Sequence, residues 1–443
     1  MRSFKILPLL SQNTLVKLAS FSIFAGLLLR ILYAINVDPL SGQDAPSYYP
    51  SALRILEKGI FANDISAPAF PVGYTWFVAA VFSISGSSLL ALSMFQIMVF
   101  TYSLWKFRVA VEILFNKEVS SIFCILISLS PAQISAVTLV MYEIPMMSLF
   151  MLGAALFIEA FYGNEEHRYF WLKITISGLL FAWAISMQPK VLAAIVVFIL
   201  LFMFSTNSQS NENFVSKEKK VVAMIVALVF VALGPSSLLI RNYIAGDGLG
   251  LTQNYATNII VGAQNTGVSL DTSRCEQFTN VHGYDSLQRS VCLQRIKFSN
   301  ISGGLDISRQ QMVNFWLPYI GDLKFRGTWY HALDFRRIFP SYEYWRGTEK
   351  LVDQVLGWIW VSLFLTYVVV GCRLAYKRFG IPKTLILLLP ICSLWLVSIS
   401  TYGESRYRIP IAFLYYVLIA IALWGQISRA RNHLEDKPPL TLA

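Results

Sequence analysis

About ten runs of apolar residues, each close to the length that crosses a lipid bilayer, constrain this chain more than any other feature. They lie near 18–35, 88–105, 119–134, 137–161, 171–188, 190–205, 221–240, 352–372, 384–402 and 409–427. A hydrocarbon core of about 30 Å takes roughly 20 helical residues. Lipid offers no partner to backbone N–H and C=O groups, so such runs are expected to be helices. Composition agrees: 56% of the residues are hydrophobic and 14% charged, against about 25% charged in an ordinary soluble domain. The net charge of +11 therefore reads as membrane topology and not as a nucleic-acid footprint, because many of the cations sit in short loops between apolar runs.

Arg2, Lys5 and Lys17 precede the first run, which is longer than the usual apolar core of a cleaved signal peptide and reads as a retained span. A further apolar run at 71–85 has about 15 residues, a length that suits an interfacial or re-entrant helix. Charge selects that reading. If 71–85 does not cross, Lys106, Arg108, Lys117, Arg168, Lys173, Lys217, Lys219, Lys220, Arg373, Lys377, Arg378, Lys383, Arg429 and Arg431 all fall on the cytoplasmic side. Two larger segments are then left outside: 36–87, in the membrane region 1–240, and 241–351, which precedes the C-terminal spans and tail at 352–443. The second is expected to be partly helical, since Met312, Phe315, Trp316 and Tyr319 keep a helical period.

Several polar residues stand out on the outer side. Asp44 reads as the N-cap of a short helix that stops at Gly59, with Tyr48, Ala52, Ile55 and Leu56 on one apolar stripe. Lys190, Arg241, Arg406 and Arg408 lie at the outer ends of spans, where a cation can hold a lipid phosphate or snorkel among headgroups. Arg30 reads as a snorkelling residue. Glu143, near the outer start of its span, can orient a substrate, bind a metal or pair with a cation. Cys124, Cys372 and Cys392 fall in or beside apolar runs as packing residues, whereas Cys275 and Cys292 lie in the long outer segment and form a candidate disulfide. His282 and His331 show no metal-ligand spacing.

The order of these elements resembles the GT-C class of polyprenyl-phosphate-sugar-dependent glycosyltransferases, and within it the bacterial branch of the dolichyl-phosphate-mannose protein mannosyltransferase-like family. The resemblance is carried by Asp44 with Tyr48, the Pro68-to-Pro71 entrance to the short helix, Glu143-Ile144-Pro145, Met187-Gln188-Pro189-Lys190, Arg241-Asn242-Tyr243 and Glu404-Ser405-Arg406-Tyr407-Arg408-Ile409-Pro410. It implies an all-α polytopic fold with a short juxtamembrane helix in the first outer loop. It also implies Asp44 as catalytic base, and substrate-binding roles for Tyr48, Glu143, Lys190, Arg241, Asn242, Glu404, Arg406 and Arg408. Many relatives carry two adjacent acids where this chain has Asp44-Ala45, and an Arg where it has Ala67. A divalent metal is therefore not supported at that position, and no cofactor is assigned.

The activity implied is inverting transfer of a hexosyl or pentosyl unit from a polyprenyl-phosphate donor to a hydroxyl of a glycolipid, glycan or protein. The chemistry would take place on the periplasmic or exterior face of a bacterial inner membrane. Two alternatives stand beside it: a lipid-linked saccharide polymerase or ligase, and a lipid or saccharide transporter. Few charges lie at mid-span, which weighs against transport.

Overall fold

The computed structural model describes residues 11–41, 45–62, 70–162, 167–205, 216–245, 250–251, 346–400 and 405–435, with isolated positions between 292 and 316. No strand occurs among them. The helices are α1 (Gln12–Asn36), α2 (Ala45–Lys58), α3 (Val72–Ser85), α4 (Leu89–Leu114), α5 (Lys117–Ser128), α6 (Pro131–Ala136), α7 (Glu143–Tyr162), α8 (His167–Met187), α9 (Val191–Ser205), α10 (Lys217–Ile244), α11 (Arg346–Ser400) and α12 (Ala412–Glu435). A 3-10 helix, Ser405–Ile411, leads into α12.

Among the described residues seven helices are long and apolar enough to cross a membrane: α1, α4, α7, α8, α10, α11 and α12. The chain is thus an integral, multi-pass membrane protein. α11 is not one rod. Gly380 has φ 86°, in the left-handed region that favours glycine, and breaks it. Before the break, Phe364, Leu374 and Phe379 meet Tyr415, Gly425 and Trp424 in turn, so this half runs parallel to α12. After it, Lys383 donates to the Leu114 carbonyl at 2.6 Å, and Trp395 lies edge-on to Trp316 at 5.9 Å. The second half therefore turns back along the bundle, so that 352–372 and 384–402 lie on separate helical segments.

The bundle has two chemically distinct ends. At one, Glu159 of α7 meets Lys173 of α8 at 2.8 Å and Lys106 of α4 at 3.8 Å. Glu118 of α5 there accepts from Arg431 and from the Trp424 indole of α12. Lys106, Lys173 and Arg431 are among the cations that charge alone assigns to the cytoplasmic side. The opposite end begins at Glu143, the first residue of α7.

Between the ends, packing carries the fold, since lipid tails are as apolar as the side chains and supply little drive for helix association. Phe413 of α12 lies edge-on to Phe107 of α4 and Phe150 of α7, with centroids 4.9 and 5.1 Å apart. α7 and α12 form the interior: 89% and 78% of their apolar stretches are buried, against 28–39% for α1, α4, α10 and α11.

Three sequence expectations need correction. The run 119–134 is not one helix: α5 ends at Ser128 and α6 starts at Pro131. The run 137–161 becomes helical only at Glu143, and residues 137–142 form a buried non-helical segment. Such backbone is tolerated at membrane depth only where protein covers it and supplies its hydrogen bonds. Arg30 does not snorkel. It is 1% exposed and donates to the carbonyls of Gly26 (2.9 Å), Ser128 (2.8 Å) and Ile127 (3.3 Å) while lying 4.4 Å over the Phe100 ring. The reason is the break after α5, whose last carbonyls have no helical partner and take the guanidinium instead.

Candidate active site at the Glu143 end

α2 occupies the predicted place in the first connection and stops just before Gly59. Tyr48, Ala52 and Ile55 are buried as the stripe required, whereas Leu56 is 45% exposed and lies off it. Tyr48 is edge-on to Tyr74 of α3 at 4.9 Å and within 6.2 Å of Tyr142, and it also touches Phe70. α3 has 14 residues, about 21 Å at 1.5 Å per residue, short of a crossing. Both its halves stay beside α2: Tyr74 meets Tyr48, and Phe82 meets Tyr49 at 5.7 Å. A Cβ on Gly73 would overlap Ser186, so glycine is what lets α3 lie against the end of α8.

From α3 the polar chain continues inward. The Tyr74 hydroxyl donates to Gln96 Oε1 at 2.8 Å, and Gln96 Nε2 donates to the Val137 and Leu139 carbonyls at 2.9 and 3.0 Å. Ser93 donates to the Thr138 carbonyl, and the Val140 amide to the Pro39 carbonyl. This segment delivers Tyr142 and Glu143, the latter 1% exposed. Burial first, and the Glu143 carboxylate second, hold the Tyr74 phenol well above its ordinary range, with the Met141 backbone acting the other way. Tyr74 therefore stays a neutral donor.

On the other side of Tyr142, Gln188 Nε2 donates to its hydroxyl at 3.0 Å. Gln188 opens the tight turn between α8 and α9 that contains Lys190. The Lys190 ammonium stands 3.9 Å over the Tyr407 ring, a cation–π contact. The neighbouring Arg408 is buried and donates to the Phe315 carbonyl at 3.2 Å. Arg241, 2% exposed at the end of α10, donates to the Ala62 carbonyl at 2.7 Å and to Asn242 Oδ1 at 3.0 Å, and Asn242 donates to the Gly250 carbonyl.

Tyr48, Glu143, Lys190, Arg241, Asn242 and Arg408 thus sit around the same end of the bundle, brought from α2, α7, the α8–α9 turn, α10 and the 3-10 helix. Asp44 and Glu404 lie outside the described residues, as do Tyr319, His282 and His331; the Arg406 backbone is helical and its side chain is not described. Phe315 is helical and buried, next to Trp316. Cys292 is disulfide-bonded, Cys275 falls outside the described residues, and Cys124, Cys372 and Cys392 are free thiols. No group of three or more His, Cys, Asp or Glu gathers as a metal site among the described residues. Gln96 is not among the site residues expected from sequence, although a glutamine inside an apolar span is a signal that something polar must meet it.

This is the fold of a GT-C-type membrane protein: an all-helical bundle with its polar residues assembled at one end, over a short helix in the first connection. Residues 69–234 match the model of the dolichyl-phosphate-mannose-protein mannosyltransferase family. Among solved structures the chain is similar to the oligosaccharyltransferase of Archaeoglobus fulgidus. Against the apo form it has 13% identity and a TM-score of 0.54, covering 95% of this chain and 52% of that one. Against the same archaeal enzyme in complex with an inhibitory peptide and a dolichol-phosphate, identity is 12% and the TM-score 0.53, covering 97% and 52%. The chain therefore spans about half the length of the oligosaccharyltransferase chains it matches. No curated protein matches it in sequence.

Proposed function

We propose that the protein is a membrane glycosyltransferase that moves one monosaccharide from a polyprenyl-phosphate donor to an acceptor hydroxyl, with inversion, at the non-cytoplasmic face of a bacterial inner membrane. The observation that carries this reading is the grouping of Lys190, Arg241 and Arg408 with Glu143 at the end of the bundle where α2 begins. Asp44 immediately precedes α2 in sequence. Cations at that end suit a lipid phosphate, and a carboxylate beside it suits a hydroxyl that must lose its proton.

The reaction balances without a further reactant. Asp44 takes the proton of the acceptor hydroxyl as its oxygen attacks the anomeric carbon. The bond from that carbon to the phosphate oxygen breaks on the opposite face, and polyprenyl phosphate leaves with the electron pair. Lys190, Arg241, Arg406 and Arg408 stabilise the charge gathering on the phosphate. Glu143, Glu404, Tyr48 and Asn242 orient donor and acceptor. A Cys275–Cys292 disulfide closes the outer segment in the oxidising compartment this reading requires.

The test is transfer from labelled polyprenyl-phosphate sugars by purified protein. Asp44→Asn is expected to lower kcat by about 10²–10⁴-fold, the range for loss of a general base. Full activity in that variant removes Asp44 as the base. Saccharide flux across vesicles in the absence of any transfer would replace the enzyme with a transporter.

A further inference from the structure

The segment 137–142 is a non-helical stretch between two buried helices, and something must hold it in one conformation. Gln96 does so from α4. Its amide is fully used: the oxygen accepts from the Tyr74 hydroxyl at 2.8 Å, and the nitrogen donates to Val137 and Leu139 at 2.9 and 3.0 Å. Only this orientation of the amide satisfies all three partners, so donor and acceptor ends are fixed. Gln96 is 1% exposed, and water does not replace it there. On one side the network reaches Tyr48, whose ring lies against Tyr74. On the other it reaches Tyr142, which is bonded to Gln188, and Glu143 follows directly.

We propose that Gln96 is a positioning residue: by clamping 137–142 to α3 it sets where Glu143 and Tyr142 stand relative to the α2 wall that follows Asp44. This deepens the transferase reading and rests on it for the role of Glu143, while the clamp itself does not. Gln96 touches no reacting atom. It acts through the backbone of a segment in which, without it, the buried Val137 carbonyl loses its donor and the Leu139 carbonyl keeps only the Met141 amide.

Two measurements on the full-length protein in nanodiscs test the proposal. The first is amide hydrogen exchange. Peptides covering 137–142 are expected to exchange about tenfold faster in Gln96→Leu than in wild type, with peptides from α8 and α9 unchanged. Gln96→Glu keeps the size and the acceptor for Tyr74 but lacks the amide donors, and it should give the same local change if Gln96→Leu folds poorly. Equal exchange at 137–142 in wild type and both variants overturns the clamp.

The second is a double-mutant cycle on sugar transfer. Gln96→Leu and Glu143→Gln are each expected to lower kcat/KM by about tenfold or more, and the double variant to fall less than about threefold below Glu143→Gln alone. Multiplying losses would mean that Gln96 does not act through Glu143 and would overturn the positioning role. Absence of transfer in wild type removes the functional reading and the role of Glu143 with it, while the exchange result still decides whether Gln96 holds the segment.

Discussion

At the scale of single residues, Arg30 shows what a charge does when a bundle closes over it. Its guanidinium serves three carbonyls, two of them at the end of α5. Removing it strands those acceptors where no water reaches. Arg30→Leu is therefore expected to destabilise the protein by about 2–4 kcal/mol, read as an earlier midpoint of thermal unfolding in detergent, with Arg30→Lys recovering part of the loss. The sequence shows a cation near the end of an apolar run, and that much is legible. Whether it turns toward lipid or toward its neighbours depends on Ser128, 98 residues away, and hydropathy carries no such information. Gln96 is the converse case. It is a conspicuous polar residue in an apolar run, but its partners Tyr74, Val137 and Leu139 come from two other elements. Lys190, Arg241 and Arg408 were legible because a position at the end of a span is a property of the run itself.

Among the elements, α3 and the segment 137–142 have nearly the same apolar composition as a crossing helix, and neither is one. α3 is recognisable by its length and by the charge of the loops after it. The non-helical stretch is not, because a hydropathy run reports burial and says nothing of backbone conformation. The contact of α3 with α8 through Gly73 gives a test. Gly73→Val pushes a side chain into Ser186 and is expected to cost about 1–3 kcal/mol by overpacking, with α3 displaced from α8. A cysteine pair chosen across α3 and α8 should then crosslink less readily than in the unsubstituted background. At the opposite end, Glu159 holds Lys173 and Lys106 with little solvent around it. Glu159→Gln is expected to lower the unfolding midpoint, leaving two part-buried ammonium groups without their carboxylate, and high salt should shrink the wild-type advantage only slightly.

For the whole molecule, the two ends are the organising fact. Ser87 and Lys117 are exposed and flank α4. Cysteines placed at these positions should be labelled by an impermeant reagent from opposite faces of sealed vesicles, and labelling of both from one face would undo the topology. The interior position of α7 and α12 has one more effect. With α7 packed against α4 and α8, and α12 against α5 and α11, both are largely buried inside the bundle and have little hydrophobic length to match to the bilayer. A thicker or thinner membrane is accommodated by tilt in the outer helices. The Glu143 end, built on α7 and on the turn into α12, should then keep its geometry across lipids of different chain length, with the mismatch falling on the shell.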